Sequence, residues 1–141
     1  MREILFRGRT TQGKEWVSGY YAKYSEGHFI GAHNSYGTML WFEVDPETVG
    51  QFTGWVFNGV KAFQGDIVKS AFGIGVIRFG KYRVELDLGD CEIDDHAETW
   101  IDSIGFYIEY TSGEQTVPDY DWMDYFTVIG NIHDNPELLE V

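Results

Sequence analysis

The chain has 141 residues, 43% of them hydrophobic and 17% aromatic, with seventeen Gly, three Pro, one Cys and a formal net charge of −13. Residues 1–83 carry ten basic and seven acidic residues, whereas residues 84–141 carry sixteen acidic residues and no Lys or Arg, so the two parts have formal charges of +3 and −16. This content is enough to bury a core and excludes a disordered chain, the charge argues against nucleic acid or an anionic membrane as a direct partner, and a lone Cys91 excludes an internal disulfide.

The run Arg2 to Arg7 alternates, with Ile4 and Phe6 on one face, and predicts an opening strand. Thr10 to Lys14 reads as a turn around Gly13, and Trp16 to Tyr24 as a second strand that returns through Gly27 into His28 to Ala32. Thr38 to Val44 completes an antiparallel meander of four strands. It ends at Asp45-Pro46-Glu47, where Asp can cap a short helix and Pro can take its first position. Asn58-Gly59, set between Trp55-Val56-Phe57 and Val60-Lys61-Ala62-Phe63, supplies the positive φ angles of a type I′ hairpin. Beyond it, Gly65-Asp66 precedes Ile67-Val68-Lys69, Gly73 precedes Ile74 to Phe79, and Gly80 separates that run from Tyr82 to Leu88. Three short strands divided by glycines predict a tightly curled sheet such as a small barrel. Ser103 to Tyr110 is a further strand, Pro118 to Asp124 a helical turn and Tyr125 to Ile129 a last strand. Asp134-Asn135-Pro136-Glu137 then repeats the order of polar cap, Pro and Glu.

The N-terminus lacks the apolar run of a secretory signal, and nowhere are there about 18 consecutive apolar residues to span a membrane, so the cytoplasm is the expected compartment. Asp87-Leu88-Gly89-Asp90-Cys91-Glu92-Ile93-Asp94-Asp95-His96 gathers oxygen ligands suited to Ca²⁺ or Mg²⁺. Counted from Asp90, however, the sixth position is Asp95 rather than Gly and the twelfth is Ile101 rather than Glu, so a solvated acidic loop is expected. His28, His33, His96 and His133 lack zinc-site spacing, and Gly73-Ile74-Gly75-Val76-Ile77-Arg78 fails the dinucleotide fingerprint at Arg78. With no Gly-x-Ser-x-Gly elbow and only acids and His96 around Cys91, no catalytic, cofactor or metal residue is assigned.

Trp16, Trp41, Trp55, Trp100 and Trp122 are expected as core or half-buried strand residues, an exposed subset marking an interface. Trp55, in an apolar hairpin, and Trp122, among Asp119, Asp121 and Asp124, best suit a partner surface. The loop acids Asp90, Glu92, Asp94 and Asp95 complete the partner-facing candidates.

Val44-Asp45-Pro46-Glu47-Thr48-Val49-Gly50-Gln51-Phe52-Thr53-Gly54, then Gln64-Gly65-Asp66-Ile67-Val68, then Val128-Ile129-Gly130-Asn131-Ile132-His133-Asp134-Asn135-Pro136-Glu137-Leu138-Leu139 stand in an order that resembles the YopX family of phage and prophage proteins. Arg2-Glu3-Ile4-Leu5-Phe6-Arg7 and Gly105-Phe106-Tyr107-Ile108 fit the same pattern, so the resemblance spans nearly the whole chain. It implies a mainly β protein with short helical turns: an N-terminal antiparallel β portion, residues 1–60, then a small SH3-like barrel, residues 61–141, sharing a core with it. It implies no catalytic residues. One departure is the hairpin before Gly65-Asp66, which in the family is rich in Lys and Asp but here reads Trp55-Val56-Phe57-Asn58-Gly59-Val60, so a buried tip or a sticky contact is expected. The expected function is a noncatalytic protein-binding module encoded by a phage or prophage, with a protein partner that charge would make basic and with homo-oligomerisation left open. An acidic nucleic-acid mimic acting on a host DNA-binding protein is the alternative, and an enzyme using carboxylate acid–base chemistry has the least support.

Overall fold

The computed structural model describes residues 3–85 and 100–140, which form two antiparallel sheets with short 3-10 turns, the chain passing from one sheet to the other at Gln64-Gly65. β1 (Phe6–Arg9), β2 (Trp16–Tyr24), β3 (Gly27–His33) and β4 (Met39–Val44) make the expected meander, and β5 (Gly50–Phe57) and β6 (Val60–Phe63) extend it beyond β1 in the order β4-β3-β2-β1-β5-β6. β7 (Asp66–Ser70), β8 (Gly73–Glu85), β9 (Trp100–Tyr110), β10 (Gln115–Thr116) and β11 (Thr127–Asn131) form the second sheet in the order β10-β9-β8-β7-β11.

The meander curls until its ends meet. Thr10 bridges to Val44, the Thr11 amide donates to the Glu43 carbonyl at 3.0 Å, and the Asp45 amide donates to the Arg9 carbonyl at 2.9 Å. Gly8 permits this closure, because a Cβ there would stand 3.0 Å from Val44 Cβ. The next residues form a single 3-10 turn, Pro46–Thr48, with Pro at its start and the Asp45 carboxylate accepting from the Glu47 amide at 3.0 Å.

Four expectations need correction. The first strand begins at Phe6 rather than Arg2, because its pairing with Gly19 and Gln51 starts there and Ile4 projects into water beyond both; Arg2 lies outside the described residues. Gly80 does not divide two strands. At φ +156° it faces Gly105 across the ladder, and two opposed glycines let the backbone bend while pairing continues from Gly75–Tyr110 to Glu85–Trp100. The end of the expected run from Tyr82 to Leu88, residues 86–88, lies outside the described residues. The last strand starts at Thr127, since Tyr125 belongs to a 3-10 turn, Tyr120–Tyr125. Finally, the turn Pro136–Leu139 has no side-chain cap, because Asn135 Oδ1 accepts from the Asn131 amide instead.

Asn58 and Gly59, at φ +53° and +84°, form the predicted hairpin turn between β5 and β6. That hairpin carries Phe57 and Ala62 into the same buried cluster as Val68, Ile77, Phe106, Ile108 and Phe126, with Trp55, Met123 and Val128 packed at its margin. The hairpin thus buries Phe57 and Ala62, while Val56 and Val60 remain exposed. Among the described residues no helix is long and apolar enough to cross a membrane.

Candidate functional site

The segments that carry the family resemblance meet where the two sheets join. Asp66, 1% exposed, accepts from the Phe63 amide at 2.8 Å and pairs with Arg7 at 2.6 Å, while the Arg7 guanidinium lies 4.8 Å from the Trp16 ring and 4.9 Å from that of Phe63. Burial pushes the Asp66 carboxyl up, against the opposing pull of Arg7 and the Phe63 N–H. Nearby, Asp134 accepts from Trp16 Nε1 at 2.6 Å, from Asn131 Nδ2 at 3.2 Å and from Arg9 at 2.8 Å, and these donors, the indole first, hold its carboxyl below the usual range. His133 is held low by desolvation and then by the charges of Arg9 and Arg7, with Asp134 and Asp45 opposing. Asn131 Oδ1 accepts from the amides of His133 and Asp134, both at 2.9 Å, and so folds the turn that presents them.

Apart from Arg7 Nε, which finds no acceptor among the described residues, the fully buried side-chain N and O atoms here have hydrogen-bond partners. The arrangement is a polar clasp between sheets and, among the described residues, holds no paired nucleophile and base. A cavity of about 210 Å³ beside it is lined by Glu47, Gln64, Arg78, Tyr107 and His133 among others. Among the described residues no three His, Cys, Asp or Glu side chains come close enough to hold a metal.

The exposed candidate site lies at the 3-10 turn Tyr120–Tyr125. With three residues per turn, side chains three apart eclipse one another, and the sequence therefore sorts into ridges. Met123 and Phe126 face the core, where the Phe126 ring stacks on Phe57 at 5.3 Å. Trp122 and Tyr125 form a second ridge, their rings 5.1 Å apart, and Asp121 and Asp124 a third. Asn58 fixes the turn against the hairpin by donating to the carbonyls of Asp124 at 3.3 Å and Phe126 at 3.1 Å.

Trp122 and Tyr125 wall a cavity of about 280 Å³ completed by Phe72, Val117, Pro118 and Ser70. Phe72 is 74% exposed, Tyr125 65% and Trp122 54%, an apolar concentration unusual for a surface left in water. Asp119 also lines the cavity; Asp121 and Asp124 are exposed beside it, and none of the three is ion-paired among the described residues.

Of the residues singled out from the sequence, the structure brings Asp119, Asp121, Trp122 and Asp124 together. Trp55 does not line this cavity; it is half-buried, stacked near Phe57 and edge-on to Phe106. Asp90, Glu92, Asp94 and Asp95, with the cation loop considered around them, lie outside the described residues. Phe72 and Tyr125 are not among the sequence candidates. The available signal for Phe72 is an aromatic residue in the tight turn between Ser70 and Gly73, a place where burial is hard to achieve.

Comparison with curated proteins gives no match, and neither does comparison with solved structures. The family model described as YopX protein matches residues 5–140, which takes in both the clasp and the Trp122 corner. The chain therefore belongs to the YopX family.

Proposed function

We propose that this chain is a noncatalytic protein-binding module, encoded by a phage or prophage and acting in the host cytoplasm, whose Trp122 corner receives a basic segment of a partner protein. The observation that carries the reading is the open apolar cavity of Phe72, Trp122 and Tyr125 with Asp119, Asp121 and Asp124 around it. Trp and Tyr dominate binding energies at interfaces because they bury large rigid surfaces, and carboxylates at a rim steer a cationic partner and set its orientation. In this reading the second sheet is the body of a small SH3-like barrel, with the 3-10 turn as one lip of its binding face.

Nucleic-acid mimicry has less support, because Asp102, Glu109 and Asp134 are ion-paired to the chain's own Arg83, Arg78 and Arg9 rather than presented in an open row. The test is affinity capture from host lysate with the wild-type chain and with Trp122→Ala. A basic protein should be retained by the wild type at low salt, be released at about 1 M salt, where screening acts within about 3 Å, and bind the variant about 30-fold more weakly, as loss of a hot spot implies. Capture of nothing above background, or equal capture by the variant, would reject the reading.

A further inference from the structure

A second aromatic group stands on the other sheet, on the outer face of β2, β3 and β4. In an antiparallel ladder, directly opposed residues share a face. Tyr24 opposes Gly27, Ala22 opposes Phe29, Phe29 opposes Glu43, and Gly31 opposes Trp41, so Tyr24, Phe29, Trp41 and Glu43 all project to one side. Gly31 lets the indole lie close to the sheet, since a Cβ there would come within 2.7 Å of the Trp41 ring. The Tyr24 and Phe29 rings meet at 64° with centroids 5.8 Å apart, forming two walls of a corner. These three rings and Glu26 line a cavity of about 170 Å³. Glu43 extends its carboxylate over Gly27, close enough that a Cβ there would stand 3.3 Å from Glu43 Oε2.

Tyr24 is 59% exposed and Trp41 47%, and among the described residues no Lys or Arg lines this cavity or the neighbouring one of about 350 Å³ that shares Phe29 and Trp41. Aromatic faces carry partial negative charge, so differently inclined rings beside carboxylates attract a compact cation. A planar guanidinium is best matched by a single ring face, and a bare ammonium is strongly hydrated and needs acceptors for three N–H groups, more than Glu26 beside three ring walls supplies. A methylated ammonium is rounded, has few or no N–H donors and sheds its water readily.

We propose that Tyr24, Phe29 and Trp41 form an aromatic cage for a methylated ammonium group, with Glu26 and Glu43 as its counter-charges. The cage is on the first sheet and does not depend on the Trp122 corner. Its ligand is either a methylated lysine side chain or a free choline-like molecule, which share this head group.

The test follows the Trp41 indole N–H resonance of the intact chain during titration with choline, with 3,3-dimethylbutan-1-ol as its uncharged carbon isostere, and with a peptide carrying trimethyllysine or unmodified lysine. Choline should shift the resonance, the isostere should bind at least about fivefold more weakly, and the trimethylated peptide should exceed the unmodified one. Tighter binding of the trimethylated peptide than of choline assigns a protein ligand; the reverse assigns a small molecule. Trp41→Ala, followed through the backbone amide resonances of Tyr24 and Phe29 because its indole is gone, and independently Glu26→Gln in the exposed hairpin turn, should weaken choline binding while the amide spectrum stays folded. Equal binding of choline and its isostere overturns the proposal, as does absence of binding by every cation, or unchanged choline affinity in both Glu26→Gln and a folded Trp41→Ala.

Discussion

His133 and Asp134 are adjacent residues of the clasp whose protonation equilibria both favour the folded chain at neutral pH. Each has its pKa lowered by the fold, from 6.5 for the imidazole and from 3.8 for the carboxyl, so the unfolded chain binds more protons than the folded one in both windows. Stability from His133 is complete above its unfolded value of 6.5 and is lost as pH falls through the lowered folded value. Stability from Asp134 is complete above 3.8 and is lost lower still. Asp66 has the opposite sign: its raised pKa means that acid relieves part of the cost of burying its charge. The imidazole is therefore best isolated in the upper window. Thermal melts at about pH 7.5 and about pH 5.5 should show a lower Tm at the acid pH for the wild type and a smaller drop for His133→Gln, in which the titrating group is gone. An equal drop in both chains would show that His133 is not desolvated as described.

At the scale of elements, the hairpin of β5 and β6 ties the second sheet's core to the Trp122 corner. Asn58 has two parts in this: it adopts φ +53°, and its amide donates to Asp124 and Phe126. Asn58→Ala loses the hydrogen bonds and places an alanine in the left-handed region, which together should cost about 1–2 kcal/mol. Urea unfolding measures the loss; a change below about 0.5 kcal/mol, the range of ordinary surface substitutions, would show that the tip is not docked. This turn is legible in the sequence because its φ requirement is met by two adjacent residues. Gly80 is not, because a glycine can bend a strand as well as end it, and only pairing with Gly105 decides which. The acids and Trp122 can be seen together for the same local reason, whereas Phe72 joins them through pairing between β7 and β11 and has no mark in the neighbouring sequence. Trp41 lies in the run Met39-Leu40-Trp41-Phe42, where uninterrupted apolar residues conceal which face is wet.

For the whole molecule, the fold partly undoes the division of charge along the chain. Arg9, Arg78 and Arg83 reach the acidic part at Asp134, Glu109 and Asp102, at 2.8, 3.3 and 2.9 Å, and Lys81 approaches Asp102 at 3.7 Å. Arg83 chiefly holds the Asp102 carboxyl below its usual range. These pairs are largely exposed, and exposed pairs contribute little because water and salt screen them. The remaining imbalance is larger: at a net charge of −13, most carboxylates have other carboxylates rather than cations to answer them. Self-repulsion of that kind destabilises a compact state and is screened once the Debye length falls to about 10 Å near 0.1 M salt. Raising NaCl from about 0.01 M to about 0.3 M should therefore raise Tm, because relief of repulsion outweighs weakening of the few exposed pairs. The same change should weaken capture of a basic partner at the Trp122 corner, where screening removes attraction instead. Opposite responses of stability and binding to one salt series would trace both to the same field of carboxylates, whereas a Tm that falls with salt would mean that the internal ion pairs govern the stability of the fold.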